Sequence, residues 1–95
     1  MAKHTPHPNR IAALRALADP VRLAVVDELA RHGACACELR AQLNLSAPLL
    51  SHHLKVLREA GLVSCQKVGR RVEVELDRDA LTRVAGSLLA GERAA

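Results

Sequence analysis

Not one phenylalanine, tyrosine or tryptophan occurs in this chain of 95 residues. Aromatic side chains normally supply much of the buried area of a small protein, so any core here must be aliphatic, built from Leu, Val and Ala. The length fits one small domain. With 49% hydrophobic and 25% charged residues the composition is that of a folded protein and too apolar for disorder. The missing rings also remove base stacking as a way to grip single-stranded nucleic acid. No apolar run approaches the roughly 18 residues of a membrane span. The amino-terminal stretch is polar and rich in His and Pro, unlike a signal peptide, so a cytoplasmic protein without a membrane partner is expected. Fourteen Lys and Arg against ten Asp and Glu leave a net charge of +4, a balance that suits a polyanion. Three cysteines, an odd number without a secretion signal, point to reduced thiols.

The chain divides into a flexible arm over residues 1–8 (MAKHTPHP), a folded domain over 9–91 and a short tail over 92–95. Asn9 is placed to cap a first helix carrying Ile11, Leu14 and Leu17 at helical spacing. Asp19-Pro20 opens a second helix, with the acceptor at the N-cap and proline at the first helical position. Leu23, Val26 and Ala30 are its expected buried stripe, and His32-Gly33 its stop. A short third helix covers roughly Cys37 to Leu43. Asn44-Leu45 then forms a tight connection to Ser46, the cap of a fourth helix that runs to Gly61.

At 100° per residue, Leu50, Leu54 and Leu57 of the fourth helix fall within about 60° of one another and define its core face. Pro48, Ser51, His52 and Lys55 point away from the core, and His53 lies close to the packed side. Beyond Gly61 the period changes to that of strands. Val63, Cys65 and Lys67 alternate with Ser64 and Gln66, Gly69-Arg70 forms a two-residue turn, and Val72, Val74 and Leu76 return on one face. That turn sets Cys65 opposite Val74 and Val63 opposite Leu76, with Lys67, Arg70 and Arg71 at the tip. A last helix begins near Asp77 or Asp79, carries Leu81, Val84, Ala85 and Leu88, and ends around Gly91.

An isolated helix with such a polar face reads as merely solvated. The order of elements changes that. Two helices joined by a tight turn and followed by a cationic hairpin make a winged helix-turn-helix, mainly α with a β-hairpin wing in the order α-α-α-α-β-β-α. Ser46, Pro48, Ser51, His52 and Lys55 are then the candidates to reach base edges of double-stranded DNA. Lys67, Arg70 and Arg71 are the candidates to neutralise its phosphates.

The segments LADPVRL, CACELRAQLNLS and LSHHLKVLREAGLV resemble the ArsR/SmtB family of bacterial repressors, over about Leu14 to Leu89. The resemblance implies a homodimer joined through its first and last helices, and a palindromic operator released when an inducer binds. Ile11, Leu14, Leu17, Leu81, Val84 and Leu88 form apolar stripes that a small monomer leaves short of partners, which points independently to the same interface.

The resemblance also makes Cys35-Ala36-Cys37 the inducer site for a soft metal or trivalent arsenic. Thiolates are the ligands such ions require, and a helix N-terminus lowers a thiol pKa. Buried small residues are the plainer account of the pair. Two sulfurs do not complete a site. Trivalent arsenic needs a third sulfur, and tetrahedral zinc or cadmium two more ligands, for which His4 and His7 of the arm are the candidates. The family's arm ligands are usually cysteines, a departure here. Its paired histidines of the last helix are absent too, since no His or Cys occurs between Asp77 and Ala95. Loss of Met1 would create an Ala2-Lys3-His4 terminus whose four nitrogens suit copper or nickel. Cys65, opposite Val74, reads as a core residue. His32 reads as favourable to a helix dipole, and His53 as a hydrogen-bonded structural residue.

An enzyme is the first rival reading. It is disfavoured by the lack of a pocket-sized core, a Gly-rich phosphate loop or a plausible Cys/His nucleophile order. The second rival keeps the fold but senses no metal, responding instead to oxidation of Cys35 and Cys37 or working with a partner protein.

Overall fold

The computed structural model describes residues 9–91, and side-chain caps set where its helices begin. Helix α1 (Arg10–Leu17) starts at Asn9, whose Oδ1 accepts from the N–H groups of Ile11 at 3.0 Å and Ala12 at 3.1 Å. Helix α2 (Pro20–Arg31) starts at Asp19, which accepts from Val21 at 2.9 Å and Arg22 at 3.0 Å. A two-residue strand β1 (Ala34–Cys35) leads straight into α3 (Ala36–Leu43). Asn44, at φ 55°, turns the chain in the left-handed conformation that asparagine tolerates. Helix α4 (Ala47–Glu59) then begins at Ser46, whose Oγ accepts from Leu49 N–H at 3.3 Å. Strands β2 (Val63–Val68) and β3 (Arg71–Leu76) precede α5 (Arg78–Ala90), which is capped by Asp77.

The hairpin has the register that its turn dictates, with Cys65 opposite Val74 and Val63 opposite Leu76. Gly69 sits at φ 63°, where a Cβ would be strained. One strand was not foreseen. β1 pairs antiparallel with the outer edge of β3, Ala34 against Val74 and Cys35 against Glu73, giving a sheet of order β1-β3-β2. Two residues are too few to carry a strand period, and the third helix starts one residue earlier than expected because Cys35 is its cap.

Leu29, Leu39, Leu50, Leu57, Leu62, Val25 and Val74 form the fully buried centre, an aliphatic core as the composition demands. Helix α4 has the anticipated phase, with Leu50, Leu54 and Leu57 inside and His53 buried beside them. Elsewhere the phase departs from expectation. α2 buries Val25, Val26 and Leu29 and leaves Leu23 and Ala30 exposed. Its sequence offers apolar residues on several sides, and packing against α1, α3, α4 and β3 selects among them. α1 buries the small Ala13 and Ala16, with Leu14 and Leu17 half-buried against the core and Ile11 exposed. α5 buries Ala80, Val84 and Ser87, so Val84 belongs to the chain's own core rather than to a free apolar stripe.

Candidate nucleic-acid interface and sulfur pair

Ser46 ends the connection that swings α4 away from α3, and the leucine face of α4 fixes its rotation. Pro48, Ser51, His52 and Lys55 consequently stand exposed on the opposite side, with Ser46 exposed at the cap. Leu49 in the first turn is 43% exposed, a residue the sequence reading passed over because leucine suggests core. Lys67, Arg70 and Arg71 are all exposed on the wing. Arg71 is partly neutralised there, its Nε lying 3.2 Å from Glu73 Oε2.

Beneath this face α4 is tied to the first two helices. His53 Nδ1 lies 3.3 Å from Arg22 Nη1, and Arg22 Nε donates to the Ala16 carbonyl at 2.7 Å. A guanidinium has only donors, so Nδ1 accepts and His53 is held neutral with its proton on Nε2. Burial pushes the His53 pKa below its usual 6.5, and the nearby charges of Arg22 and His52 act in the same direction against Asp19. The Asp19 carboxyl is itself held low, chiefly by the backbone N–H of Arg22. His53 is thus the structural residue expected. Arg22, its partner across 31 positions of sequence, had no local signal.

Cys35 and Cys37 are joined as a disulfide with Cα atoms 5.4 Å apart, within the range such a bond requires. This corrects the expectation of reduced thiols. Pairing with β3 holds Cys35 extended, and the abrupt entry into α3 carries Cys37 back beside it. Cys35 also completes a capping box, its Sγ accepting from Glu38 N–H at 3.3 Å while Glu38 Oε1 accepts from Cys35 N–H at 3.0 Å. Cys35 is 1% exposed, whereas Cys37 is exposed. Reduced, the pair would offer two soft donors. Among the described residues no group of three or more His, Cys, Asp or Glu is placed to hold a metal. His4 and His7, like Ala2-Lys3-His4, lie outside the described residues. Cys65 is half-buried rather than enclosed in the core.

Cys65 and Cys37 both line a cleft of about 340 Å³ between α3, α4 and the hairpin, where the sequence suggested no pocket. Arg40, Arg58, Arg70 and Arg71 also line it, above a floor that includes Leu54 and Val72.

Two helices meeting at a left-handed asparagine, an exposed polar face on the second and a basic hairpin beside it define a winged helix-turn-helix regulator. The profile described as bacterial regulatory protein, arsR family, matches residues 19–64. The arsenical resistance operon repressor of Staphylococcus xylosus is 36% identical over 75 residues, covering 79% of this chain and 72% of that protein. This chain belongs to the arsR family, a family of transcriptional regulators rather than enzymes. The HTH-type transcriptional repressor SmtB of Mycobacterium tuberculosis is 48% identical over 59 residues, 62% of this chain. That match spans only 44% of the mycobacterial protein. HlyU from Vibrio cholerae N16961 superposes with a TM-score of 0.71 at 28% identity, covering 86% of this chain and 91% of that one. Among the described residues no helix is long and apolar enough to cross a membrane.

The His53 environment generates a pH prediction. Its folded pKa lies below the unfolded value, so the unfolded chain takes up more protons as pH falls. The stability it contributes is complete above about pH 6.5 and declines below that. Urea titrations at a series of pH values should show this decline in the wild type. His53→Gln should flatten it; an unchanged slope would mean that His53 is not held neutral.

Proposed function

We propose that this protein is a dimeric repressor that binds a palindromic operator through α4 and the wing, and that Cys35 and Cys37 receive the inducing signal. The observation that carries the DNA reading is the exposed polar face of α4, presented together with the cationic hairpin. Side chains at the start of α4 read base edges in the major groove, while Lys67, Arg70 and Arg71 meet phosphates. A repressor of this kind acts in the cytoplasm.

Dimerisation is supported by what the protomer leaves uncovered. Ile11 is 57%, Leu88 49% and Leu89 89% exposed on α1 and α5, with Leu14, Leu17 and Leu81 half-buried alongside. Joining two such faces removes apolar surface from water, and a dimer of this kind meets a palindrome when its two α4 helices lie one turn of DNA apart.

For the signal, the name of one relative favours a metal or metalloid, since it is an arsenical resistance operon repressor. Thiolates of Cys35 and Cys37 would hold the soft ion, with His4 and His7 completing a zinc or cadmium site and a further sulfur needed for trivalent arsenic. A second reading, thiol oxidation, is favoured by the disulfide itself. In both, the change falls on the cap of α3, the first helix of the helix-turn-helix, and alters how the two α4 helices meet DNA.

Operator titrations across a range of salt test the DNA reading. Arg70→Ala with Arg71→Ala should weaken binding to all sequences alike and flatten the salt slope by at most about 2. Changing Ser51 or His52 should instead alter base preference, at roughly 1–3 kcal/mol per lost base contact. A double wing variant that binds as tightly as wild type at every salt concentration removes the wing from the interface.

Leu88→Asp spares the protomer core and places a charge in the proposed interface, at a cost of several kcal/mol. Sedimentation should show folded monomers with collapsed operator affinity. A folded dimer would exclude this surface.

The response should vanish in Cys35→Ser with Cys37→Ser, while DNA binding without inducer persists. Gel shifts with a panel of metals, and with reduced and oxidised protein, separate the two chemistries. Deleting residues 1–8 weakens a metal site completed by the arm and leaves an oxidation response intact. Release of DNA by the double Ser variant at the same metal concentration would transfer the site to Ala2-Lys3-His4.

A further inference from the structure

We propose that the cleft between α3, α4 and the β2–β3 hairpin is a binding site for a small carboxylate-bearing thiol, which it delivers to the Cys35–Cys37 disulfide. The inference rests on the oxidation reading above and supplies that reading with its reductant.

The charge of the cleft selects the carboxylate. Arg40, Arg58, Arg70 and Arg71 line it and no Asp or Glu does, among the described residues. Two of the four are engaged, Arg71 with Glu73 and Arg40 through Nε with the Leu45 carbonyl. Arg58 and Arg70 have no ion pair among the described residues, which leaves two guanidinium groups to fork a carboxylate. At about 340 Å³ the cleft has room for a small molecule only. Leu54 and Val72 give its floor an apolar surface for a short carbon chain.

The wall selects the thiol. Cys37 is the exposed half of the disulfide and lines the cleft, whereas Cys35 is buried behind it. An incoming thiolate therefore meets Cys37 Sγ. It forms a sulfur–sulfur bond there, the Cys35–Cys37 bond breaks, and its electron pair leaves on Cys35 Sγ. That sulfur already accepts from Glu38 N–H at the start of α3, so the leaving thiolate is stabilised where it forms. A second thiolate then attacks the ligand's sulfur and releases Cys37 as a thiolate. Two thiols have become one external disulfide, two electrons have reduced the protein, and the Cys35 and Cys37 thiolates take up protons from water. Ser51, Arg70 and Arg71 line the cleft and also belong to the proposed DNA face, so an occupied cleft and bound operator compete for the same groups.

The test uses the oxidised 95-residue chain and three probes: 3-mercaptopropionate, uncharged 2-mercaptoethanol and cationic cysteamine. Mixed-disulfide formation is followed by intact mass, and rates are expressed per concentration of thiolate. 3-Mercaptopropionate should react about tenfold faster than 2-mercaptoethanol, with saturation and with loss of the advantage at high salt. Cysteamine should be slowest, and peptide mapping should find the adduct on Cys37. Arg58→Gln with Arg70→Gln, both at exposed positions, should lower the 3-mercaptopropionate rate much more than that of 2-mercaptoethanol, whose thiolate carries a single charge, and so remove most of the tenfold advantage. Equal rates for the three probes, or an adduct on Cys35, overturns the site. Gel shifts of oxidised and reduced protein distinguish the two readings. DNA binding that ignores oxidation defeats the regulatory reading but not a charge-selective cleft, whereas oxidation-sensitive binding without charge selectivity defeats the cleft alone.

Discussion

Leu50, Leu54 and Leu57 recur along one side of α4 and are buried against α2, α3 and the sheet, so the rotation of that helix about its axis is fixed. Each such side chain contributes about 1.5–3 kcal/mol when taken out of water, far more than any polar contact on the opposite face could recover by turning inward. A helix period of 3.6 then leaves Ser51, His52 and Lys55 no position except the surface. Arg22 adds direction to this constraint. Its guanidinium spans from the Ala16 carbonyl to His53, tying the middle of α4 to the junction of α1 and α2.

Cys35 is where the three parts of the molecule meet. Its backbone pairs with β3, its sulfur caps α3, and the same sulfur is bonded to Cys37. Chemistry at this atom changes a helix cap and the edge of the wing sheet together. A cap is worth about 0.5–2 kcal/mol, comparable to the coupling energies by which one site regulates another. The sulfur lies at the start of the helix that packs beneath α4, which gives a local event a short path to the DNA face.

The family profile covers residues 19–64, from the cap of α2 into the first residues of β2. That span contains the helix-turn-helix and the cysteine pair but leaves out α1, β3 and α5. The exposed Ile11, Leu88 and Leu89 and all three wing cations, Lys67, Arg70 and Arg71, also lie outside it. The shared segment thus supplies the frame, and the surfaces proposed to join two protomers and to complete the wing come from outside it.

Short-range chemistry was legible in the sequence. Asn9, Asp19 and Ser46 cap the helices they were expected to cap, because an acceptor and the N–H groups it satisfies lie within three residues. The α4 phase and the hairpin register followed from one strong apolar stripe and one two-residue turn. Tertiary structure decided the rest. α2 has apolar residues on several sides, and only its neighbours chose Val25, Val26 and Leu29 over Leu23 and Ala30. β1 exists because β3 offers it an edge, and that pairing brings Cys35 and Cys37 together. The cleft, the His53–Arg22 tie and the burial of Val84 likewise join segments far apart in the chain. Caps and turns are settled by a residue and its near neighbours, whereas a buried face or a cleft is settled by whichever distant surface packs against it.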